Sequence, residues 1–251
     1  MIYTVLATPV LEDGRGSMGF RWCGEAEVRG LIPFLEQNFS NCKFERKTPA
    51  RQKPGPKPGK GNSYGRTGQS LIEQIIKELP IALRYEPNKC NLILVFDDLD
   101  CRTSEVQEKK ILDAISTIPE CADIPKLVGF AAPEVEAWII ADWSNSIAKH
   151  PDFRGRHKRM RYWLSQEKNI PFNEPESFSE YDIDRDCCRE KLSEALVYSS
   201  VLAEFDSRST RYSKRLHTPA LLQDIQPDEV QRKYPLFREL YNYLNHFCSS
   251  S

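Results

Sequence analysis

The chain lacks the features that would place it in a membrane or a secretory pathway. It has no apolar run of the roughly 18 residues that a membrane-spanning helix needs, so we expect no transmembrane segment. Its first residues are apolar and β-rich and lack the basic stretch and cleavage site of a signal peptide, which predicts a cytoplasmic protein. The formal net charge is −1 over 251 residues, so bulk electrostatics indicates no particular partner.

Familiar metal and nucleotide motifs are also missing. The eight cysteines include no Cys-x-x-Cys pair, and no histidine stands at zinc-ligand spacing from a cysteine. Scattered, reduced cysteines are therefore expected. There is no phosphate loop of the Walker type, no dinucleotide glycine fingerprint, no zinc-protease helix and no Gly-x-Ser-x-Gly elbow. We expect the four histidines to be structural or to face solvent.

Strand and helix signals alternate through the first part of the chain. Residues 91–96, of which only Asn91 is polar, form an apolar run that stops at a cluster of aspartates, which is typical of a strand buried on both faces in a parallel sheet. Residues 126–132 read as a further buried strand, and amphipathic helices lie between the strands. The strand signal then disappears. We predict an α/β domain over residues 1–148, with a mostly parallel sheet flanked by helices, and a helical C-terminal region over residues 149–251.

Two blocks of positive charge, at residues 46–66 and 154–161, contain no acidic residue. The first is rich in Pro, Gly and Lys, which predicts a mobile basic loop over residues 48–66. Such blocks can neutralise phosphates even in a chain with almost no net charge, although each can also be solvated surface charge. The candidate nucleic-acid-binding residues are Arg51, Lys53, Lys57, Lys60, Arg156, Lys158 and Arg159.

Acidic residues follow three of the predicted strands, which are residues 2–11, 91–96 and 126–132. Ligands bind at the carboxyl ends of parallel strands, and oxygen-only ligands suit Mg²⁺ or Mn²⁺. Asp98 and Asp100 lie two residues apart, so on an extended chain they can converge on one ion. Acids at strand ends are also common caps and turn formers, but three clusters at one sheet edge favour a site. The clusters contain Glu12, Asp13, Glu25 and Glu27, then Asp97, Asp98 and Asp100, then Glu134 and Glu136.

The order of these motifs resembles the Toprim domain, which occurs in topoisomerases, primases and several nucleases. The closest likeness is to a bacterial Toprim-related family of unknown function, akin to the OLD and RloB-like defence nucleases. The matching stretches are Leu11-Glu12-Asp13-Gly14, Gly24-Glu25-Ala26-Glu27, Asp98-Leu99-Asp100, Glu134-Val135-Glu136-Ala137-Trp138, Tyr212-Ser213-Lys214 with Pro219, and Tyr234-Pro235-Leu236-Phe237-Arg238. One departure is that residues 15–23 separate the first glutamate from the glutamates that open the next helix.

The resemblance implies a Toprim or Rossmann-like fold and a metal-dependent nuclease. Asp98 and Asp100, with Asp97 and Glu136, would hold one or two Mg²⁺ or Mn²⁺ ions. Glu12, Glu25 or Glu27 would transfer protons, and the departure leaves open which of them is the general base. The resemblance also implies a role in phage defence beside an ATPase partner. The alternative is a nucleic-acid-binding or regulatory subunit that does not cleave, and the sequence leaves DNA or RNA open.

Overall fold

A computed structural model of the chain describes residues 3–9, 26–48, 69–85, 90–204 and 210–249. It has the expected mixed α/β architecture. Within these ranges the nine α-helices, in chain order, are α1 (Ala26–Asn38), α2 (Gln69–Tyr85), α3 (Ser104–Ser116), α4 (Glu136–Ala141), α5 (His157–Gln166), α6 (Leu192–Leu202), α7 (Lys214–Asp224), α8 (Pro227–Lys233) and α9 (Pro235–Ser249).

The main sheet has four strands in the order β2-β1-β3-β4 within the described part of the chain. They are β1 (Tyr3–Pro9), β2 (Cys42–Thr48), β3 (Leu92–Asp98) and β4 (Lys126–Ala131). β3 lies inside the sheet and is buried along its whole length, as its apolar run predicts. It pairs in parallel with β4 and antiparallel with β1, and β1 pairs antiparallel with β2.

The prediction of a mostly parallel sheet is therefore wrong, since two of the three pairings of described strands are antiparallel. A continuous apolar run reports that both faces of a strand are covered. It does not report the direction of the neighbouring strands.

The C-terminal helices share one hydrophobic core with the sheet. α7 crosses α1 so closely that a Cβ atom on Gly30 would lie 2.8 Å from the Cα of Pro219. α9 covers β4, where a Cβ atom on Gly129 would lie 2.9 Å from a methyl group of Leu240. Trp138 of α4 is fully buried at the centre of this core. A small antiparallel hairpin, β5 (Tyr181–Asp182) and β6 (Cys187–Cys188), lies between α5 and α6.

Four of the cysteines form disulfides, so the prediction of reduced cysteines is wrong for these residues. Cys42 in β2 is bonded to Cys248 in α9, and Cys101 after β3 is bonded to Cys188 in β6. The partners are 206 and 87 residues apart, so only the tertiary fold brings them together. Among the described helices, none is long and apolar enough to cross a membrane.

Candidate functional site

The ends of the parallel strands β3 and β4 bring the acidic residues of two segments together. The Leu99 N–H donates to the Ala131 carbonyl at 2.7 Å, and the Asp100 N–H donates to the Pro133 carbonyl at 3.0 Å. Asp100 then adopts a left-handed backbone conformation, with φ of 48°, and so does Cys101, with φ of 63°. The chain therefore turns away directly after Asp98, and the segment that opens α4 lies beside this turn.

Asp98 and Glu134 are both buried and both accept hydrogen bonds. The Val135 N–H donates to Asp98 Oδ1 at 3.0 Å. The N–H and hydroxyl groups of Ser193, at the start of α6, donate to Glu134 at 2.9 and 3.0 Å. These bonds fix the orientation of both carboxylates, because main-chain donors of a packed fold cannot move away easily.

Glu136, the first residue of α4, is fully buried. The Thr218 hydroxyl donates to its Oε1 at 2.8 Å. The Tyr212 hydroxyl lies 3.5 Å from the same oxygen and 2.6 Å from Thr218 Oγ1. Burial, and next the Glu136 carboxylate, raise the pKa of Tyr212 well above its usual value, so its hydroxyl stays protonated and can donate.

One ammonium group links the three carboxylates. Lys214 Nζ lies 3.1 Å from Glu136 Oε2, 3.6 Å from Glu134 Oε1 and 3.8 Å from Asp98 Oδ2. We call Lys214 and these three acids the acidic cluster. Lys214 is the first residue of α7 and keeps 30% of its side chain exposed. It therefore compensates the buried negative charge from the solvent side of the cluster.

The first turn of α7 is held in place by its own contacts. The Ser213 N–H donates to His217 Nδ1 at 2.7 Å, which leaves the proton of the ring on Nε2. That nitrogen lies 3.3 Å from Asp152 Oδ2. The aromatic ring of Tyr212 stacks on His217 with a centroid distance of 5.6 Å. The main chain at Lys214 is therefore fixed, whereas its four-carbon side chain retains rotatable bonds.

Asp100 lies at the edge of the acidic cluster. Arg102 Nη1 is 3.4 Å from Asp100 Oδ2, and Arg102 Nε donates to Asp186 Oδ1 at 3.0 Å. Burial raises the pKa of Asp100, and the neighbouring Asp98 carboxylate raises it further, while Arg102 opposes both effects. Asp100 is therefore a carboxyl group whose charge is disfavoured by its surroundings, which is common at functional sites.

The structure brings Asp98 and Glu136 together as predicted, and Asp97, the residue before Asp98, is fully buried at the end of β3. The backbone is not extended at Asp100, so the prediction that the two-residue spacing turns Asp98 and Asp100 to one face is wrong. The two carboxylates are still close enough to interact. Within the described ranges, no three His, Cys, Asp or Glu side chains are grouped so that they could hold a metal ion.

Other predicted residues lie outside the described part of the chain. These are the candidate bases Glu12 and Glu25 and the basic-loop residues Arg51, Lys53, Lys57 and Lys60. The basic loop itself, predicted over residues 48–66, is described only at Thr48, the last residue of β2. Glu27 is the second residue of α1.

The second basic block contains one residue that does not fit the prediction. Arg156 is buried, and its guanidinium donates to the Ser200 carbonyl at 2.7 Å and to the Thr210 carbonyl. It joins α5 to two other segments and is not available to a phosphate, so its assignment as a nucleic-acid-binding residue is wrong. Lys158 and Arg159 are exposed on α5, as a binding role requires.

Sequence reasoning did not place Lys214, Ser193 or Thr218 at the site. The one signal for Lys214 was the Tyr212-Ser213-Lys214 stretch, which resembled a family motif without a function attached. Ser193 and Thr218 carry no pattern that would distinguish them from other helix residues. Their roles follow from tertiary packing of α6 and α7 against α4 and the segment before it.

No protein-family model, no curated protein and no solved structure matches this chain.

Proposed function

We propose that this chain is a divalent-metal-dependent nuclease that cleaves phosphodiester bonds of DNA or RNA. The observation that carries the proposal is the convergence of Asp98, Glu134 and Glu136 on one ammonium at the ends of two parallel strands. Three carboxylates buried around one cation keep an excess of negative charge, which is unfavourable, so such a cluster is seldom kept for stability alone.

The donor chemistry of the cluster fits Mg²⁺ or Mn²⁺, since every candidate ligand is a carboxylate oxygen. The described side chains are not grouped as a metal site in this arrangement, so Asp98, Asp100 and Glu134, with Asp97 and Glu136, would hold the ion only after these carboxylates rearrange. A bound ion would polarise the phosphodiester and lower the pKa of an attacking water. The Lys214 ammonium lies between the acids, so the side chain has to swing away when an ion binds.

The chain's own residues would then act as follows. Lys214, turned outward, and Arg102 both contact acids of the site, and each can bind a phosphate oxygen. Ser193 and Val135 keep the carboxylates of Glu134 and Asp98 oriented. The resemblance keeps Glu12, Glu25 and Glu27 as the proposed proton-transfer residues. The prediction that all three acidic clusters follow strands at one sheet edge is wrong, because β1 runs antiparallel to β3 and ends at the opposite edge from β3 and β4.

The test is cleavage by the purified protein of plasmid, linear DNA and transfer RNA in Mg²⁺, Mn²⁺ or EDTA. We expect cleavage only with a divalent ion. Asp98→Asn and Glu134→Gln should each reduce the rate by orders of magnitude, because metal activation contributes several kcal/mol to the barrier reduction. Asp113→Asn, an exposed acid on α3, is the matched control and should cleave normally. A wild-type protein that binds no divalent ion and cuts none of these substrates contradicts the proposal.

One observation favours the alternative, a nucleic-acid-binding or regulatory subunit that does not cleave. Lys214 already compensates the carboxylates, and the described residues hold no ready metal site. In such a subunit Lys214 would stay in place, and the cluster would be a structural remnant of a metal site. Binding of the same nucleic acids without cleavage in any metal would support this alternative.

The remaining features that the sequence suggested are part of the same proposal. They are a Toprim or Rossmann-like ancestry, a role in phage defence, an ATPase partner and a cytoplasmic location. The two disulfides weigh against the last of these, because disulfides persist mainly in oxidising compartments.

A further inference from the structure

A cleft of about 280 Å³ lies beside the acidic cluster, between the first turns of α3 and the β5–β6 hairpin. Its wall includes Arg102, which also contacts Asp100, and Cys101, which is bonded to Cys188 of the hairpin. The disulfide and the Arg102 contacts therefore hold both walls of the cleft at a fixed position relative to the cluster.

The amino end of α3 supplies hydrogen-bond donors to this cleft. Thr103, the residue before the helix, lines the cleft, and its side chain makes no capping hydrogen bond. The first N–H groups of a helix have no partner within the helix and, with the helix dipole, favour an anion. Glu105, the acid of the first turn, is not part of the cleft wall.

The charge of the cleft is also suited to an anion. Asp186 is already compensated, since Arg102 and the Tyr181 hydroxyl donate to its carboxylate at 3.0 and 2.8 Å. Lys110 lines the cleft about two helical turns along α3 from Thr103. Within the described part of the chain it makes no ion pair, and its charge adds to the hydrogen bonds from Arg102 and Tyr181 in lowering the pKa of Asp186. The lining therefore carries two cations, Arg102 and Lys110, against one acid, and Arg102 is shared with Asp100 outside the lining. The Lys110 ammonium and the helix dipole are the groups that an anion would meet.

A buried side chain points independently to a ligand. Gln107 lines the cleft, is only 3% exposed, and its Nε2 has no hydrogen-bond partner among the described residues. Leaving an amide donor buried and unpaired is unfavourable, so such a group in a native cleft calls for an explanation. Nε2 is closed to solvent in the present side-chain position, so the Gln107 amide would have to turn towards the cleft to donate to a carbonyl or ring-nitrogen acceptor of a ligand.

Apolar surface completes the cleft. Tyr181 and Val106 both line it, and both are well exposed, at 40% and 53%. An exposed tyrosine beside a cation and an amide is the combination that binds an unstacked nucleobase, because the ring stacks on the base and the amide reads its edge.

We propose that this cleft binds one nucleotide unit, with its phosphate at the amino end of α3 near Lys110 and its base against Tyr181 and Gln107. The inference rests on the proposed function, since it adds a subsite next to the acidic cluster for a nucleotide that flanks the cleaved bond. The same chemistry is offered by a free nucleotide and by a nucleotide within a strand, and the experiment below separates the two.

The experiment measures fluorescence anisotropy of a labelled thymidine pentanucleotide with the full chain in EDTA, where no cleavage occurs. We expect Tyr181→Ala to weaken binding on the order of tenfold through loss of one stacked base. Lys110→Ala should weaken binding and lower the slope of log affinity against log salt by about 0.7. Gln107→Leu should weaken binding while leaving the melting temperature unchanged or higher, because it removes a buried unpaired amide.

Two matched controls test the location. Lys109→Ala changes the neighbouring lysine, and Tyr198→Ala changes an exposed tyrosine on α6, and neither residue lines the cleft. Both should bind like the wild type. Equal losses in the controls, or normal binding by the three cleft variants, would overturn the proposal.

A competition arm separates the two sources of the ligand. Displacement by thymidine 5′-monophosphate as well as by unlabelled pentanucleotide assigns the cleft to free nucleotides, and displacement by the pentanucleotide alone assigns it to a strand. Displacement by neither overturns the proposal. Binding is measured without metal, so its outcome does not depend on cleavage. If the cleft variants lose binding but the wild type cleaves nothing, only the nuclease proposal is rejected. If the wild type cleaves and the cleft variants bind normally, only this subsite is rejected.

Discussion

Replacing Lys214 by methionine removes the cation of the acidic cluster while keeping most of the length of the side chain. The ammonium lies 3.1, 3.6 and 3.8 Å from carboxylates whose side chains are 0, 7 and 6% exposed. Removing one partner of a buried ion pair costs about 3–5 kcal/mol, because the other charge stays buried and uncompensated. Since Lys214 keeps 30% of its side chain in solvent, we expect a loss of about 3 kcal/mol, at the low end of that range.

The measurement is urea denaturation at pH 7 in EDTA. A loss of about 3 kcal/mol would lower the urea midpoint by about 1 M or more, since the free energy of unfolding falls by about 1–3 kcal/mol per molar urea in small proteins. Arg215→Met is the control, because Arg215 is the next residue of α7 and is exposed. A Lys214→Met variant as stable as this control would refute the reasoning that the ammonium holds the cluster together.

The same variant tests whether a metal can replace the ammonium. If Mg²⁺ binds the freed carboxylates, it should stabilise Lys214→Met by about 2.7 kcal/mol at a concentration a hundred times its dissociation constant. The wild type should gain less, because the ion must first displace Lys214. Equal gains in both proteins, or none in either, would show that Lys214 and the ion do not compete for this site.

Three further predictions concern other parts of the molecule. Burial and Asp98 raise the pKa of Asp100 in the folded protein, so the contribution of Asp100 to stability is greatest in acid and is lost as pH rises through that pKa. Asp100→Asn should therefore melt at a higher temperature than the wild type at pH 7, with the gain disappearing below about pH 4 in thermal melts, where the carboxyl is protonated in both states. Replacing both Lys158 and Arg159 by alanine should lower the salt slope of nucleic-acid binding by about 0.7–0.9 per lost phosphate contact, whereas Arg156→Ala should instead lower the melting temperature. Alkylation of the unfolded, unreduced protein followed by mass spectrometry should modify Cys90, Cys121 and Cys187 and leave unmodified Cys42, Cys101, Cys188 and Cys248.

The sequence predicted those features that depend on local pattern. The apolar run before Asp97 identified a strand covered on both faces, and β3 is buried along its whole length inside the sheet. The position of Asp98 and Glu136 at neighbouring strand ends followed from the same pattern, because β3 and β4 are parallel. The mixed α/β class followed from the alternation of the two kinds of segment.

Features that depend on distant contacts could not be predicted in this way. The direction of β1 is set by its pairing with β3, and its own residues do not specify it. Arg156 stood in a basic block, yet its hydrogen bonds to two carbonyls depend on where α6 and the segment before α7 are packed. The disulfides link cysteines that no local spacing relates to one another.

The behaviour of Lys214 distinguishes the two candidate functions, because the same acids can bind either a metal ion or the lysine. Its main chain is held by the Ser213–His217 and Tyr212–Thr218 contacts, so α7 need not move when the side chain does. The side chain reaches the acids from solvent, and a rotation about its own bonds would expose them to an ion while carrying its charge towards a phosphate. A nuclease needs the ion to replace Lys214 at a small cost in free energy. A binding subunit is instead stabilised when Lys214 stays paired with the carboxylates. Competition between Lys214 and Mg²⁺ therefore distinguishes the two functions even before a substrate is known.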